Sequence, residues 1–174
     1  MKFKKLFLEP AYLIEQDLFK DDRGLFFRYF SLVDFSIIGH KGQWVQMNHS
    51  FTFKKGTIRG MHFQISPFEE IKLVRCISGS VYDVIIDMRR SSSNYLKWQG
   101  FELNSSNKNA LYIPKGFAHG FQVLEDNSEL LYMHTAIYNK DYERGVRYDD
   151  PAINIIWPLN VTLVSERDKN HPLL

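Results

Sequence analysis

From Lys72 to Met88 the chain reads KLVRCISGSVYDVIIDM, two apolar runs with single polar interruptions, broken once at Ser78-Gly79-Ser80. Runs of this length between small residues predict strands, and the short break predicts a hairpin joining Lys72–Ile77 to Val81–Met88. Similar runs recur at Ala11–Gln16, Gln43–Phe53, Thr57–Gln64, Trp98–Leu103, Ala110–Ile113, Gly120–Leu124 and Leu130–Tyr138. Leu32–Ile38 predicts a short helix, with Ser31 as its N-cap and Gly39 just past its end. The closing SERDKNHPLL is polar and predicts an exposed turn or short helix. Many short strands at even spacing, with no linker, repeat or low-complexity tract between them, predict one all-β domain over residues 1–174, a sandwich or jelly roll.

Composition strengthens this. Aromatic residues make up 15% of the chain, with 14 Phe and 9 Tyr, and such side chains pack well on half-buried pleated surfaces. Charge narrows the class: 22 basic and 20 acidic residues leave a net +2 without a basic stripe, which argues against a nucleic-acid binder. An anionic ligand must then be held by a few local cations. No window approaches the roughly 18 apolar residues of a membrane-spanning helix. MKFKKLFLEP runs into Glu9 and Pro10 instead of an apolar stretch and cleavage site, and the single cysteine, Cys76, excludes an internal disulfide. Both point to a reducing cytoplasm.

Six histidines raise the question of a metal. Metal sites on β-scaffolds commonly take two imidazoles from alternate positions of one strand, but two residues past His62 stands Gln64, so no metal is expected. Cys76, mid-strand between Arg75 and Ile77, reads as a small buried core residue. What remains is proton transfer. His62 in TIRGMHFQ lies near Arg59, and Lys72 starts a strand on whose face Val74 and Cys76 also lie, so a base and a cation could line one cavity. Strict alternation would put Arg59 and His62 on opposite faces unless Gly60 hosts a bulge that turns both inward. PKGFAHGF presents His119 among aromatics in a glycine-bracketed turn. Tyr132 and His134 alternate with Leu130, and a cavity-facing tyrosine is either a general acid or a core aromatic whose hydroxyl has found a partner.

Eight segments, DDRGLFFRYF, VQMNHS, GTIRGMHFQ, KLVRCISGSVYDVIIDMR, IPKGFAHGF, the Tyr132 strand, RYDDPAINIIWP and SERDKNHPLL, together resemble the dTDP-4-dehydrorhamnose 3,5-epimerase family in unchanged order. The resemblance implies a cupin-type double-stranded β-helix with short peripheral helices, a homodimer with exchanged N-terminal strands, and neither cofactor nor metal. It implies inversion of carbons 3 and 5 of a nucleoside-diphosphate 4-keto-6-deoxysugar through an enolate. By resemblance His62 is the base, oriented by Asp168; Lys72 stabilises the enolate oxygen; Tyr132 returns a proton on the opposite sugar face. Arg59, His119 and the partner's Arg23 correspond to diphosphate contacts, and Phe26, Gln46, Asn48 and Tyr138 to positions lining the nucleotide and sugar site.

Two residues depart from the family pattern. Arg28 stands where a glutamate is common, and Met47 interrupts a motif usually read VQDN. Both bear on which nucleotide and sugar are preferred. A carbon-3-only epimerase, a non-catalytic sugar-nucleotide-binding cupin and a metal-dependent oxygenase are the alternatives; a base with an opposed acid favours catalysis.

Overall fold

The computed structural model describes all residues, 1–174. In chain order it contains β1 (Lys2–Lys5), β2 (Tyr12–Glu15), β3 (Phe19–Asp21), β4 (Gly24–Phe26), helix α1 (Leu32–Phe35), β5 (Gln46–Thr52), β6 (Thr57–Gln64), β7 (Lys72–Ser78) and β8 (Ser80–Asp87). There follow β9 (Trp98–Asn104), β10 (Ala110–Ile113), β11 (Phe117–Val123), β12 (Ser128–His134), β13 (Glu143–Gly145), β14 (Leu163–Val164) and α2 (Glu166–Lys169). One sheet has the order β1-β2-β10-β7-β12-β5 and the other β13-β6-β11-β8-β9, with β14 added in parallel to β6. This is the jelly roll expected from the strand spacing and the cupin-type fold implied by the resemblance.

The sheets close on a core of Val74, Cys76, Leu111, Ile113 and Leu130 from the first and Val81, Ile85, Leu103, Phe121 and Val123 from the second. Their outer faces are covered too. Phe35 of α1 packs with Ile14, Leu73, Tyr112 and Met133 outside the first sheet, and Val146, Ile153 and Ile155 cap Met61, Val84, Ile86 and Ala118 outside the second. Burial on both faces explains why β11 is buried at every position, without the polar alternation of a half-exposed strand.

One expectation is corrected. Lys72–Ile77 and Val81–Met88 are strands, but not a hairpin: β7 pairs with β10 and β12, whereas β8 pairs with β9 and β11. Ser78-Gly79-Ser80 is a corner between sheets. Gly79 adopts φ +71°, and a Cβ there would lie 2.4 Å from Ser128 Oγ. That hydroxyl instead accepts the Ser80 N–H at 3.1 Å, holding the corner. The predicted helix holds as α1 followed by a 3-10 turn over Ser36–Ile38, with Ser31 accepting the Asp34 N–H and Gly39 at φ +76°.

β1 pairs with β2 and β2 with this chain's own β10, while β3 and β4 form a hairpin paired to neither sheet. That arm, which the apolar pattern missed, exposes Phe19, Leu25 and Phe26. No helix is long and apolar enough to cross a membrane.

Candidate active site

At one end of the sandwich the inward side chains change from apolar to polar and line a cavity of about 670 Å³, within the usual size range of small-molecule sites. The wall from the second sheet depends on an irregularity in β6. Its pairing with β11 slips between His119 and Phe121, and Gly60 sits at φ +121°, where a Cβ would lie 2.5 Å from Gly120 Cα. The bulge expected at Gly60 therefore exists, and Arg59 and His62 both line the cavity. Arg59 is fixed by bonds from Nε to Thr52 Oγ1 at 3.0 Å and from Nη2 to the Phe51 carbonyl at 3.3 Å.

His62 Nε2 lies 2.7 Å from Asp168 Oδ1, and the second Asp168 oxygen accepts the Gly60 N–H at 3.1 Å. Asp168 is 3% exposed and is placed by α2, whose cap Ser165 accepts the Asp168 N–H. Burial alone would raise the Asp168 pKa. The hydrogen bond and charge of His62, the Gly60 N–H and the Arg167 guanidinium outweigh it and hold the carboxyl at about 2. An ionised carboxylate takes the His62 proton at Nε2, which leaves Nδ1 as the basic nitrogen. Beside this pair a second imidazole repeats the arrangement: buried His119 Nε2 lies 3.0 and 2.9 Å from the two oxygens of buried Asp83, and His119 is the register partner of His62.

The facing wall comes from the first sheet. Tyr132 on β12 shares a 2.8 Å hydrogen bond with Ser50 on β5, and burial pushes its pKa up despite that bond, keeping the phenol protonated. Lys72 on β7 donates to the His62 carbonyl at 3.3 Å and pairs with Glu70 at 3.2 Å. Gln46 and Asn48 project inward from β5 and are joined at 3.1 Å. Tyr138 lies at the rim with its hydroxyl 2.9 Å from Glu143, which also pairs with Arg167 at 3.0 Å.

Nine of the residues named from the sequence thus line one cavity: His62, Asp168, Lys72, Tyr132, Gln46, Asn48, Arg59, His119 and Tyr138. Arg23 and Phe26 do not reach the cavity of their own chain; they sit on the β3–β4 arm, Arg23 paired with Asp21 and Phe26 69% exposed. Met47 lies outside the cavity, between the inward residues Gln46 and Asn48 on β5. Arg28 faces Asp34 of α1 at 3.8 Å.

Sequence reasoning missed Asp83, Glu70, Glu143 and Arg167. Asp83 was visible as a lone charge inside VYDVII, where an apolar strand carries an acid only if it is partnered. Glu70, Glu143 and Arg167 stand in polar stretches with nothing to mark them. His62, Asp168 and His171 bring potential ligand atoms within 4.8 Å of one another, but Arg167 Nη2 lies 3.1 Å from the same His62 Nε2, and a guanidinium there repels a cation. Gln64 is used structurally, bonding the Phe68 and Ile137 carbonyls and the Asn139 N–H.

The profile of a family described as dTDP-4-dehydrorhamnose 3,5-epimerase matches residues 5–174. The enzyme of that name from Shigella flexneri is 42% identical over 171 residues, 98% of this chain and 94% of the relative. The fold superimposes with a TM-score of 0.96 on the Bacillus anthracis enzyme crystallised with TDP and pyrophosphate, at 36% identity over 99% of both chains. It superimposes at 0.93 on the Legionella pneumophila enzyme in complex with dTDP-4-keto-L-rhamnose, at 34% identity over 99% of this chain and 92% of that one. A cavity with a carboxylate-backed imidazole on one wall and a half-buried tyrosine on the other is thus found in a chain that matches this profile along nearly all its length, and the chain belongs to the dTDP-4-dehydrorhamnose 3,5-epimerase family.

Proposed function

We propose that the cavity inverts carbons 3 and 5 of a dTDP-linked 4-keto-6-deoxyhexose, in the formation of activated L-rhamnose or a related deoxysugar. The observation that carries this reading is the placement of His62–Asp168 and Tyr132 on opposite sheets with the Lys72 ammonium between neighbouring strands. Inversion at a carbon beside a ketone needs a base on one face and a proton donor on the other. His62 Nδ1 takes the proton, and the carbon–hydrogen electron pair moves into the ring as the carbonyl oxygen becomes an enolate. Asp168 keeps the imidazole in the required tautomer and stabilises the imidazolium. Lys72, itself buried, stabilises the enolate oxygen. Tyr132 then protonates carbon from the other face. None of these steps draws on a cofactor.

Arg59 and His119 contact the diphosphate, and Gln46, Asn48 and Tyr138 the nucleotide and sugar. Arg23 and Phe26 complete the site of a second copy: the arm that carries them projects from both sheets with apolar side chains uncovered, and the free edge β5 exposes Met47 and Phe51, with Phe53 just beyond it. The working form is accordingly a homodimer that shares arms, acting in the cytoplasm.

Deuterium uptake from heavy water into the 4-keto sugar nucleotide tests the chemistry directly. Exchange at both carbons 3 and 5 is expected; exchange at carbon 3 alone would make this a single-carbon epimerase, and none at either carbon would remove the enolate mechanism.

A further inference from the structure

Five hydrogen bonds and one ion pair link the acid-bearing wall, four of the bonds running in one direction toward Glu70, which Lys72 meets from the other side. The Tyr138 N–H donates to Gln46 Oε1 at 2.9 Å, and Gln46 Nε2 donates to Asn48 Oδ1 at 3.1 Å. Asn48 Nδ2 meets His134 Nε2 at 3.3 Å, and His134 Nδ1 meets Glu70 Oε2 at 2.8 Å. Glu70 Oε1 pairs with Lys72 Nζ at 3.2 Å, and Lys72 in turn donates to the carbonyl of His62 at 3.3 Å. The β-ladder holds these links in place, because His134 is the register partner of both Lys72 on β7 and Gln46 on β5.

The two ends leave the middle no choice. A backbone N–H can only donate, so Gln46 must present its oxygen to Tyr138 and its amide hydrogens to Asn48. Asn48 must then offer hydrogen to His134 Nε2. At the other end burial pushes the Glu70 carboxyl up, but the hydrogen bond from His134 and the Lys72 charge outweigh it and keep the carboxyl below its ordinary value. Glu70 therefore only accepts. Between a donor and an acceptor, His134 fits only as a neutral ring with its proton on Nδ1. Placing a proton on Nε2 would set two donors against each other at Asn48, or, after both amides turn over, at Tyr138.

We propose that Glu70 and His134 are positioning residues for the epimerisation: through this chain they hold the Lys72 ammonium at the enolate oxygen and tie its placement to the amides of Gln46 and Asn48. The inference rests on the enolate role given to Lys72 above. One ammonium hydrogen is committed to the His62 carbonyl and the charge is paired with Glu70, which narrows the direction left for the substrate. The His62 carbonyl also places Lys72 relative to the base, so the base wall and the enolate donor share one rigid link. Glu70 and His134 do not touch the reacting atoms in this arrangement; they act through Lys72.

The test reads the His134 tautomer without substrate and then the rate. In protein carrying ¹⁵N-histidine at neutral pH, the ring resonances that vanish in His134→Gln identify His134, and a neutral ring protonated on Nδ1 is expected. A cationic ring, or a proton on Nε2, overturns the proposal whether or not the Glu70 variants fold. Glu70→Gln presents amide hydrogens to Nδ1, so it should move the proton to Nε2 and lower kcat about tenfold with KM changed less than about twofold. Glu70→Asp should keep the Nδ1 tautomer and recover most of the rate. A folded Glu70→Gln protein with the switched tautomer and wild-type kcat would overturn the positioning role. Lys72→Met turning over at the wild-type rate would instead overturn the enolate reading, a distinct failure because the tautomer is measured with no chemistry under way.

Discussion

The two walls of the cavity are built from different chemistry. On the β6–β11–β8 wall each imidazole is backed by its own buried carboxylate, His62 by Asp168 and His119 by Asp83. On the β5–β12–β7 wall the reactive groups are a phenol bonded to a serine and an ammonium held by the Glu70 carboxylate and the His62 carbonyl. The Asp168 carboxylate behind His62 fixes the tautomer that leaves one ring nitrogen free, whereas desolvation raises the Tyr132 pKa and keeps the phenol protonated. In the proposed mechanism one wall accepts a proton and the other donates one. That division allows inversion, since a base and acid on the same side would only return the proton to where it began.

The strongest way to break the comparison is to empty the accepting wall. His62→Ala should lower kcat about 10⁴-fold and abolish deuterium exchange at both carbons, because no other group is placed to take the proton. Exchange near the wild-type rate would assign the base elsewhere, and His119 would be the first candidate.

Asp168→Asn tests the carboxylate behind that base and should cost about 10³-fold in kcat, since an amide cannot fix the His62 tautomer in the same way. It also has a signature in stability. The folded-state pKa of Asp168 is depressed to about 2, against about 3.9 for an unfolded aspartate. Its contribution, about 2 kcal/mol, is therefore complete above about pH 4 and is lost as pH falls toward 2. Wild-type protein should lose stability more steeply than Asp168→Asn across that window in denaturant titrations at stepped pH. Parallel curves would mean that the carboxylate is no better stabilised in the fold than in the unfolded chain.

Tyr132→Phe attacks the donating wall and should separate two observables. Inversion should fall about 10²-fold, while exchange falls far less, because His62 still forms the enolate and returns solvent deuterium to the original face. Equal losses would place Tyr132 in enolate formation and undo the division of labour between the walls.

How much of this division could be read from the chain differs from wall to wall. Strand positions were legible because apolar runs and small residues mark them, and the Gly60 bulge because Arg59 and His62 otherwise could not share a face. The sheet to which each strand belongs was not legible: Ser78-Gly79-Ser80 has the residues of a hairpin turn but the geometry of a corner. The catalytic set came from resemblance, as spacing alone left His62 and Tyr132 open to a structural reading. Asp83 and Glu70 escaped because a buried partner is defined by what it faces across a sheet, which sequence order does not show. The β3–β4 arm escaped because its strands have three residues each and no buried face to impose a pattern.

The arm adds a third region to the comparison, and Arg23→Ala tests it. Arg23 is exposed in its own chain; in the proposed shared dimer it would bind diphosphate in the neighbouring site, so KM should rise about tenfold with kcat nearly unchanged, the pattern of lost uniform binding. Sedimentation should give twice the chain mass at micromolar concentration. A fully active monomer would detach the arm from the site.

The smallest effect is expected at Arg28, where a glutamate is common in the family. Reversing the charge moves it by two units, and an arginine at the nucleotide could pair with phosphate or donate to a base oxygen. The geometry favours another use: Arg28 is 66% exposed at its side chain and faces Asp34 across 3.8 Å, on the helix that seals the outer face of the first sheet. An exposed pair of this kind contributes at most about 1 kcal/mol. Arg28→Glu should therefore lower thermal stability slightly, through repulsion from Asp34, and change the ratio of kcat/KM for dTDP- against UDP-linked 4-keto sugars by less than about twofold. A tenfold change in that ratio would move Arg28 from the helix to the nucleotide and make it a specificity determinant.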